Sequence, residues 1–280
     1  MRNVSFSKIV ENVSELCQEA NYFLPDDILS ALKGSLKKEK KKLAKYILEK
    51  LIENAEIAKE KKIPICQDTG IAIFFVELGD EVKIVGGTLE DAIFEGVRIG
   101  YEKGYLRKSI VLSPFQRINT NDNTPPIIHL KIVKGNKIRI IFTPKGAGSE
   151  NMSTLCMLSP SDGIEGVKKF VIDTVKKGAF NSCPPVVVGV GVGGDFEEVA
   201  IISKKALLRN ISERNREKEI AKLELELLKE INNLKIGPGG VGGETTALSV
   251  NIEIFPCHIA TLPVAVSISC CAHRIREKIL

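Results

Sequence analysis

The feature that most constrains this chain is a change of hydrophobic period at Pro64. Before it, apolar residues recur at three- and four-residue steps, as in Ile9, Val13 and Leu16 and again in Leu43, Ile47 and Leu51. This spacing predicts a helical first third from Val4 to about Lys61. After it, short apolar runs at Ile71 to Leu78 and Val82 to Val85, separated by Gly79-Asp80-Glu81, predict strands. Thr88 is placed to cap a helix through Ala92, Val97 and Tyr101, with Glu90 and Asp91 in the first turn, where the helix dipole favours acids. Ile127 to Val133 and Lys137 to Thr143 flank Lys134-Gly135-Asn136, which predicts a hairpin. A helix over Asp162 to Lys177, a continuous apolar strand over Pro185 to Val192, a leucine-spaced helix from Glu213 to Leu234, and strands at Leu248 to Phe255 and Pro263 to Ser269 complete the pattern. The expectation is an α+β fold, with a helical N-terminal third followed by a mixed α/β region of short strands and Gly-rich loops. No repeat or low-complexity linker interrupts it, so residues 1–280 read as a single domain.

A hydrophobic content of 44% is enough to fill an ordinary globular core. The longest apolar runs, Ile71 to Val76 and Val186 to Val192, fall far short of the roughly 20 residues that cross a bilayer as a helix. The N-terminal segment mixes acids with its apolar residues and does not resemble a secretion signal, so a cytoplasmic protein without membrane attachment is expected. The net charge of +5 raises the question of nucleic acid. Its densest patch, Lys37-Lys38-Glu39-Lys40-Lys41-Lys42, lies between Leu36, Leu43, Ile47 and Leu51 and reads as the wet face of one amphipathic helix, without aromatic residues for base stacking. Nucleic-acid binding is therefore not expected.

Seven cysteines, an odd number in a chain read as cytoplasmic, argue against a disulfide framework and leave metal binding or catalysis beside simple burial. Cys66 in Ile65-Cys66-Gln67-Asp68-Thr69-Gly70, Cys183 in Cys183-Pro184-Pro185, and Cys270 at the end of the last apolar strand all fall at joints between elements. Joints hold reactive groups accessibly on a rigid scaffold, whereas a core-filling cysteine lies within an element, as Cys17 does. No pair has Cys-x-x-Cys spacing, yet thiolates from distant loops can gather on one cluster, and three protein ligands on four irons leave one iron open as a Lewis acid. Cys270 and Cys271 are adjacent, so on a persisting strand only one faces a given side. Cys156 and Cys257 read equally well as small buried hydrophobes.

Two glycine-rich stretches invite other readings. Gly237-Pro238-Gly239-Gly240-Val241-Gly242-Gly243 could bring backbone N–H groups close to a carboxylate or a cluster sulfide, or could simply be a tight turn. Gly189-Val190-Gly191-Val192-Gly193-Gly194 matches Gly-x-Gly-x-x-Gly after an apolar strand, the mark of a dinucleotide-binding subunit, although Asp195, Glu197 and Glu198 would crowd a pyrophosphate with negative charge. Among the histidines, His258 lies just before the last strand and is the best-placed proton carrier, while His129 is mid-strand and His273 lies in the C-terminal tail.

Five collinear segments, Ile65-Cys66-Gln67-Asp68-Thr69-Gly70, Asn121-Asp122-Asn123-Thr124-Pro125-Pro126, Lys145-Gly146-Ala147-Gly148-Ser149-Glu150-Asn151, Cys183-Pro184-Pro185 and Gly239-Gly240-Val241-Gly242-Gly243-Glu244-Thr245-Thr246, together resemble the class I iron–sulfur fumarase family and its tartrate dehydratase relatives. The resemblance implies a [4Fe–4S] cluster with one open iron on Cys66, Cys183 and Cys270. It further implies that Gln67, Arg107 and Gly148 face a small dicarboxylate substrate, with Asp68 and His258 as catalytic groups. In that family the proton-abstracting base belongs to a second, smaller unit. The expectation is accordingly the α subunit of a hetero-oligomeric hydro-lyase that interconverts (S)-malate with fumarate and water and needs a separate β subunit. An L(+)-tartrate dehydratase α subunit is the nearest alternative, and a non-catalytic metal-binding subunit the next. Pro256-Cys257-His258 departs from the family in carrying cysteine where threonine is usual, and Cys271 stands where a bulky or polar residue is usual.

Overall fold

The computed structural model describes residues 1–280. They divide into two compact units, each assembled from separated stretches: Met1–Leu24, Asn54–Ala147 and Arg274–Leu280 form the first, Pro25–Glu53 and Gly148–His273 the second. The α+β expectation holds, with helices early and mixed sheets later, and the span read as one domain contains these two units.

In the first unit, β1 (Arg2–Ser5) runs parallel to β3 (Val82–Val85). Ser5 then caps α1 (Phe6–Tyr22) by accepting the Lys8 N–H, so the helix expected from Val4 starts only after a short strand. As expected, α4 (Leu89–Lys103) begins at Thr88, whose hydroxyl accepts the Asp91 N–H. α1 and α4 pack closely because Gly96 and Gly100 lie one turn apart on α4: a Cβ would stand 2.5 Å from Val13 at the first and 2.9 Å from Cys17 at the second.

The sheet of this unit has the order β10 (Arg276–Ile279), β5 (Ile138–Lys145), β2 (Ile71–Gly79), β4 (Ile127–Val133). This corrects the expected hairpin, because β4 and β5 are not neighbours; β2 lies between them, parallel to β4 and antiparallel to β5. The turn residues reverse the chain without forcing the strands together. β2 buries Ala72, Ile73, Phe74 and Val76 and gains most from a neighbour on each side. The turn instead crosses the end of β2, where the Glu81 N–H donates to the Gly135 carbonyl and the Gly135 N–H to the Asp80 carboxylate. Phe74 and Phe142 meet in the core with ring centroids 4.9 Å apart.

The second unit is built on a sheet of order β6 (Thr154–Leu158), β9 (Leu262–Ser269), β7 (Val186–Gly193), β8 (Ala247–Phe255). β7 is parallel to β8 and antiparallel to β9. Val186, Val188 and Val190 point to one face, where α6 (Gly163–Gly178) and α8 (Lys218–Asn233) pack Val167, Val171, Leu223 and Leu227 against them. The opposite face is covered by α7 (Glu198–Ala206), which the sequence pattern did not predict. α7 lies so close that a Cβ on Gly189 would stand 2.3 Å from the Ser203 carbonyl oxygen, and one on Gly191 2.4 Å from that of Val199.

The lysine run is not one helix. α2 (Asp26–Lys38) ends and α3 (Lys42–Lys61) begins around Glu39, which is only 2% exposed. One carboxylate oxygen of Glu39 accepts the Lys40 and Lys41 N–H groups and the other accepts the Glu244 N–H. The flanking lysines remain exposed, and Leu43 with them. A helix carried straight through would have left this carboxylate buried without partners, and that cost favours the break.

Replacing Gly189 by Ala is expected to lower stability by about 1–3 kcal/mol, the usual cost of overpacking. Gly34→Ala, within α2 and with nothing inside 4 Å of the added Cβ, is expected to raise stability by roughly 0.5–1 kcal/mol. Urea midpoints of the two variants measure the contrast.

Candidate active site

In the first unit the loop before β2 carries Cys66, Gln67 and Asp68. Cys66 is half-buried and Gln67 exposed. The Asp68 carboxylate is fixed by two backbone donors, Gly70 N–H at 3.0 Å and Ala147 N–H at 2.8 Å. Gly146 makes room for it, since a Cβ there would come within 3.1 Å of the Asp68 Oδ2. Gly70 is required on two counts: its φ is +74°, and a Cβ would stand 2.7 Å from the Lys145 backbone nitrogen.

The loop's carbonyls are all the more in need of partners because the strand ladder begins only at Ile71. The buried Tyr101 hydroxyl lies 2.9 Å from the Thr69 carbonyl and 3.1 Å from that of Gly70. Burial pushes its ionisation well above the usual tyrosine range, so it stays a neutral donor. Asn123 adds an amide donor to the Gly70 carbonyl and accepts the Ser109 N–H. The Thr69 hydroxyl donates to the Arg107 carbonyl at 2.9 Å, which holds Arg107 beside the loop with its guanidinium exposed. Cys66, Gln67, Asp68 and Arg107 are thus brought together. Sequence reasoning placed Tyr101 on its helix but missed it as a donor to this loop, and missed Arg274, whose Nη2 donates to the Asp68 carbonyl; the flanking residues, Gly100 and Glu102 in one case and His273 and Ile275 in the other, gave no signal of either role.

In the second unit Cys183 precedes β7 and Cys270 follows β9, two antiparallel neighbours, so both lie at one end of the sheet. The Cys271 N–H donates to the Cys183 carbonyl at 3.1 Å. Cys183 adopts a left-handed φ of +51° and is exposed, Cys270 is half-buried, and Cys271 is 9% exposed. Gly148 belongs to the same end: it is exposed, and a Cβ there would come 3.5 Å from the Asn181 carbonyl oxygen. The Gly-rich loop holds this end in shape. Its Gly239 N–H donates to the Pro184 carbonyl, Gly242 N–H to Ile236, Gly240 N–H to Gly237, and Gly237 N–H to the Thr246 hydroxyl. Most of its donors are therefore spent inside the protein, which favours the tight-turn reading over the ligand cradle.

His258 lies elsewhere. It follows β8 and precedes β9, whose eight residues separate its surroundings from Cys270 by about 26 Å at strand rise. Within the second unit His258 and the pair Cys183 and Cys270 lie at opposite ends of β9. His258 is exposed, accepts the Ala260 N–H on Nδ1 at 3.1 Å, and lines a cavity of about 700 Å³ with Gly194, Asp195, Phe255, Cys257 and Thr261.

The Gly-x-Gly-x-x-Gly stretch does not build a pyrophosphate cradle. Gly189 and Gly191 are spent on the close contact with α7, and the Asp195 carboxylate itself takes the Glu197 and Glu198 N–H groups that an anion would need.

None of the seven cysteines forms a disulfide. Cys17 is buried in α1 and burial pushes its thiol up, as a core-filling residue would show. Cys66, Cys183 and Cys270 differ from it in lying on loops and in being at least partly accessible, which suits thiolate ligation of iron. In neither unit do three His, Cys, Asp or Glu side chains converge as they would around a single metal ion.

This is an α+β scaffold that carries accessible thiols on braced loops. The chain belongs to the fumarate hydratase (fumerase) family, which it matches over residues 10–278. It is 46% identical over 278 residues to a Methanocaldococcus jannaschii protein named "Putative L(+)-tartrate dehydratase subunit alpha", with 95% of each chain covered. It is 35% identical over 274 residues to the L(+)-tartrate dehydratase subunit alpha of Escherichia coli strain K12, covering 96% of this chain and 89% of that one. No helix is long and apolar enough to cross a membrane.

Tyr101→Phe removes the hydroxyl donor shared by the Thr69 and Gly70 carbonyls, leaves the Asn123 amide on Gly70, and is expected to cost about 1–3 kcal/mol in a chemical-denaturation series. Glu39→Gln is expected to cost a similar amount and to flatten the acid limb of the stability profile. Burial alone would raise the Glu39 carboxyl, but N–H donation from Lys41, Glu244 and Lys40 outweighs it and holds the group below its ordinary value of 4.5. Its contribution is therefore complete above that value and is lost as the pH falls through the lower value of the folded chain. Urea unfolding of wild type and variant between neutral and acid pH measures the difference.

Proposed function

We propose that this chain is the α subunit of an iron–sulfur hydro-lyase acting on a four-carbon hydroxy-dicarboxylate, with Cys66, Cys183 and Cys270 as ligands of a [4Fe–4S] cluster. The observation that carries this reading is that Cys66, Cys183 and Cys270, three of the four accessible loop-borne thiols, lie in a chain that matches the fumarate hydratase family over nearly its whole length; the fourth, Cys257, lies beside His258 at the other end of β9. Bound there, the cluster would supply Lewis acidity, through the iron that lacks a thiolate, for departure of the substrate hydroxyl.

The remaining chemistry belongs to side chains. Arg107 offers a planar fork for a substrate carboxylate, and Gln67 offers an amide beside Cys66. Asp68, with both oxygens already engaged by backbone N–H groups, holds a fixed orientation and keeps spare lone pairs for a hydroxyl or water. Gly148 leaves its backbone open to close approach. The base that removes the proton from the adjacent carbon resides on a separate β subunit, so this chain alone is inactive. The cytoplasm suits such an oxygen-sensitive centre.

The reaction proposed first is the interconversion of (S)-malate with fumarate and water, which follows the family description. Dehydration of L(+)-tartrate is the second reading, favoured by the names of the relatives. The two differ by one substrate hydroxyl, and k cat/KM for each substrate, measured on the α–β complex under anaerobic conditions, separates them.

Anaerobic reconstitution of the complex is expected to give about four iron and four sulfide per α chain, with iron content and turnover collapsing in Cys66→Ser, Cys183→Ser and Cys270→Ser. Wild-type iron and turnover in any one of these variants would remove that cysteine from the ligand set. His258→Ala is expected to leave the iron content unchanged.

A further inference from the structure

Arg274 is 3% exposed, and its Nε is buried without a partner. A buried guanidinium is costly unless its donors find acceptors. Two of its nitrogens are used. Nη1 donates to the Asn21 side-chain oxygen at 2.8 Å and Nη2 to the Asp68 carbonyl at 3.1 Å. Asn21 in turn accepts the Ile65 N–H on its backbone carbonyl at 2.9 Å and anchors its own amide on the Cys17 carbonyl of α1 at 2.8 Å. The chain of bonds from Ile65 through Asn21 and Arg274 to Asp68 closes a ring whose remaining side is the dipeptide Cys66-Gln67.

We propose that Arg274 is a positioning residue that clamps the Cys66-Gln67 turn from behind, so that the thiol and the amide are presented in one fixed geometry. Both ends of the turn are tied to the same helix residue, Asn21, one directly and one through the guanidinium. α1 buries Ile9, Val13 and Leu16 completely and cannot drift, so the ring transmits the rigidity of the core to a loop that has no strand ladder of its own. An ordinary neutral side chain could not span the two acceptors; the planar fork can, because its donors diverge at a fixed angle. The clamp stands on geometry alone, while its importance for iron binding rests on the reading of Cys66 as a cluster ligand.

The test uses amide hydrogen exchange in the full-length chain, comparing Ile65 and Gly70 in the Cys66 loop with Val188 and Val190 in β7. Arg274→Met is expected to speed exchange at Ile65 and Gly70 by about tenfold or more, the change in local opening that loss of two charge-assisted hydrogen bonds brings, with the β7 amides unchanged. Arg274→Lys, which keeps the charge and reaches one acceptor, is expected to fall between Met and wild type. Asn21→Ser opens the same ring from its other side and should reproduce the pattern, which keeps the test decisive if Arg274→Met fails to fold. Unchanged exchange at Ile65 and Gly70, or a parallel rise at β7, would overturn the clamp. Iron content of the reconstituted α–β complex forms a second arm. Selective loop opening with wild-type iron retention would leave the clamp standing and count against Cys66 as a ligand, whereas loss of both supports the two readings together.

Discussion

The burial of β2 governs the first unit. Ile71 to Val76 is apolar on both faces, and a strand of that kind loses least when flanked on each side and covered above and below. Placing it between β4 and β5 displaces the local hairpin and delivers the preceding loop, with Cys66, Gln67 and Asp68, to the rim of a packed core. The loop has no ladder, so its backbone groups are satisfied by side chains from elsewhere: Tyr101 from α4, Asn123 from the segment before β4, and Arg274 from the C-terminal segment. Each of these is a buried polar group whose partner is the backbone of the loop, and the mutual dependence explains why an irregular segment can be rigid.

The second unit solves a related problem by different means. Cys183 and Cys270 are carried by the paired ends of β7 and β9, where strand register fixes their separation. The left-handed turn at Cys183 is supported by the Cys271 N–H on one side and by the Gly-rich loop on the other. That loop is itself held by the Glu39 carboxylate through the Glu244 N–H, and a Cβ at Gly243 would come within 2.6 Å of the same carboxylate. The break in the lysine run is thereby linked to the shape of the loop behind Cys183. In both units the thiol-bearing segments are the irregular ones, and the sheets and helices serve to hold them.

Much of the local structure was legible because it follows from short-range rules. The Thr88 cap, the apolar run of β7 and the last turns of α8 lie where side-chain chemistry and periodicity put them. α7 escaped notice because nine residues with acids before them and lysines at the end give little periodic signal, and the glycines that mark its contact with β7 resemble a nucleotide motif on paper. The hairpin between β4 and β5 failed for a different reason: a turn specifies that the chain reverses, not which strand lies alongside.

The sequence by itself determined the α+β composition, the accessible thiols at element joints and the family to which the chain belongs, because those depend on residue type and order. The tertiary structure alone decided that β2 is central, that Glu39 breaks the lysine helix, that His258 stands apart from Cys183 and Cys270, and that Arg274 closes a ring behind Cys66. Each of these depends on which buried polar group finds a partner and which apolar strand finds two neighbours, and those are settled by contacts between residues tens to hundreds of positions apart.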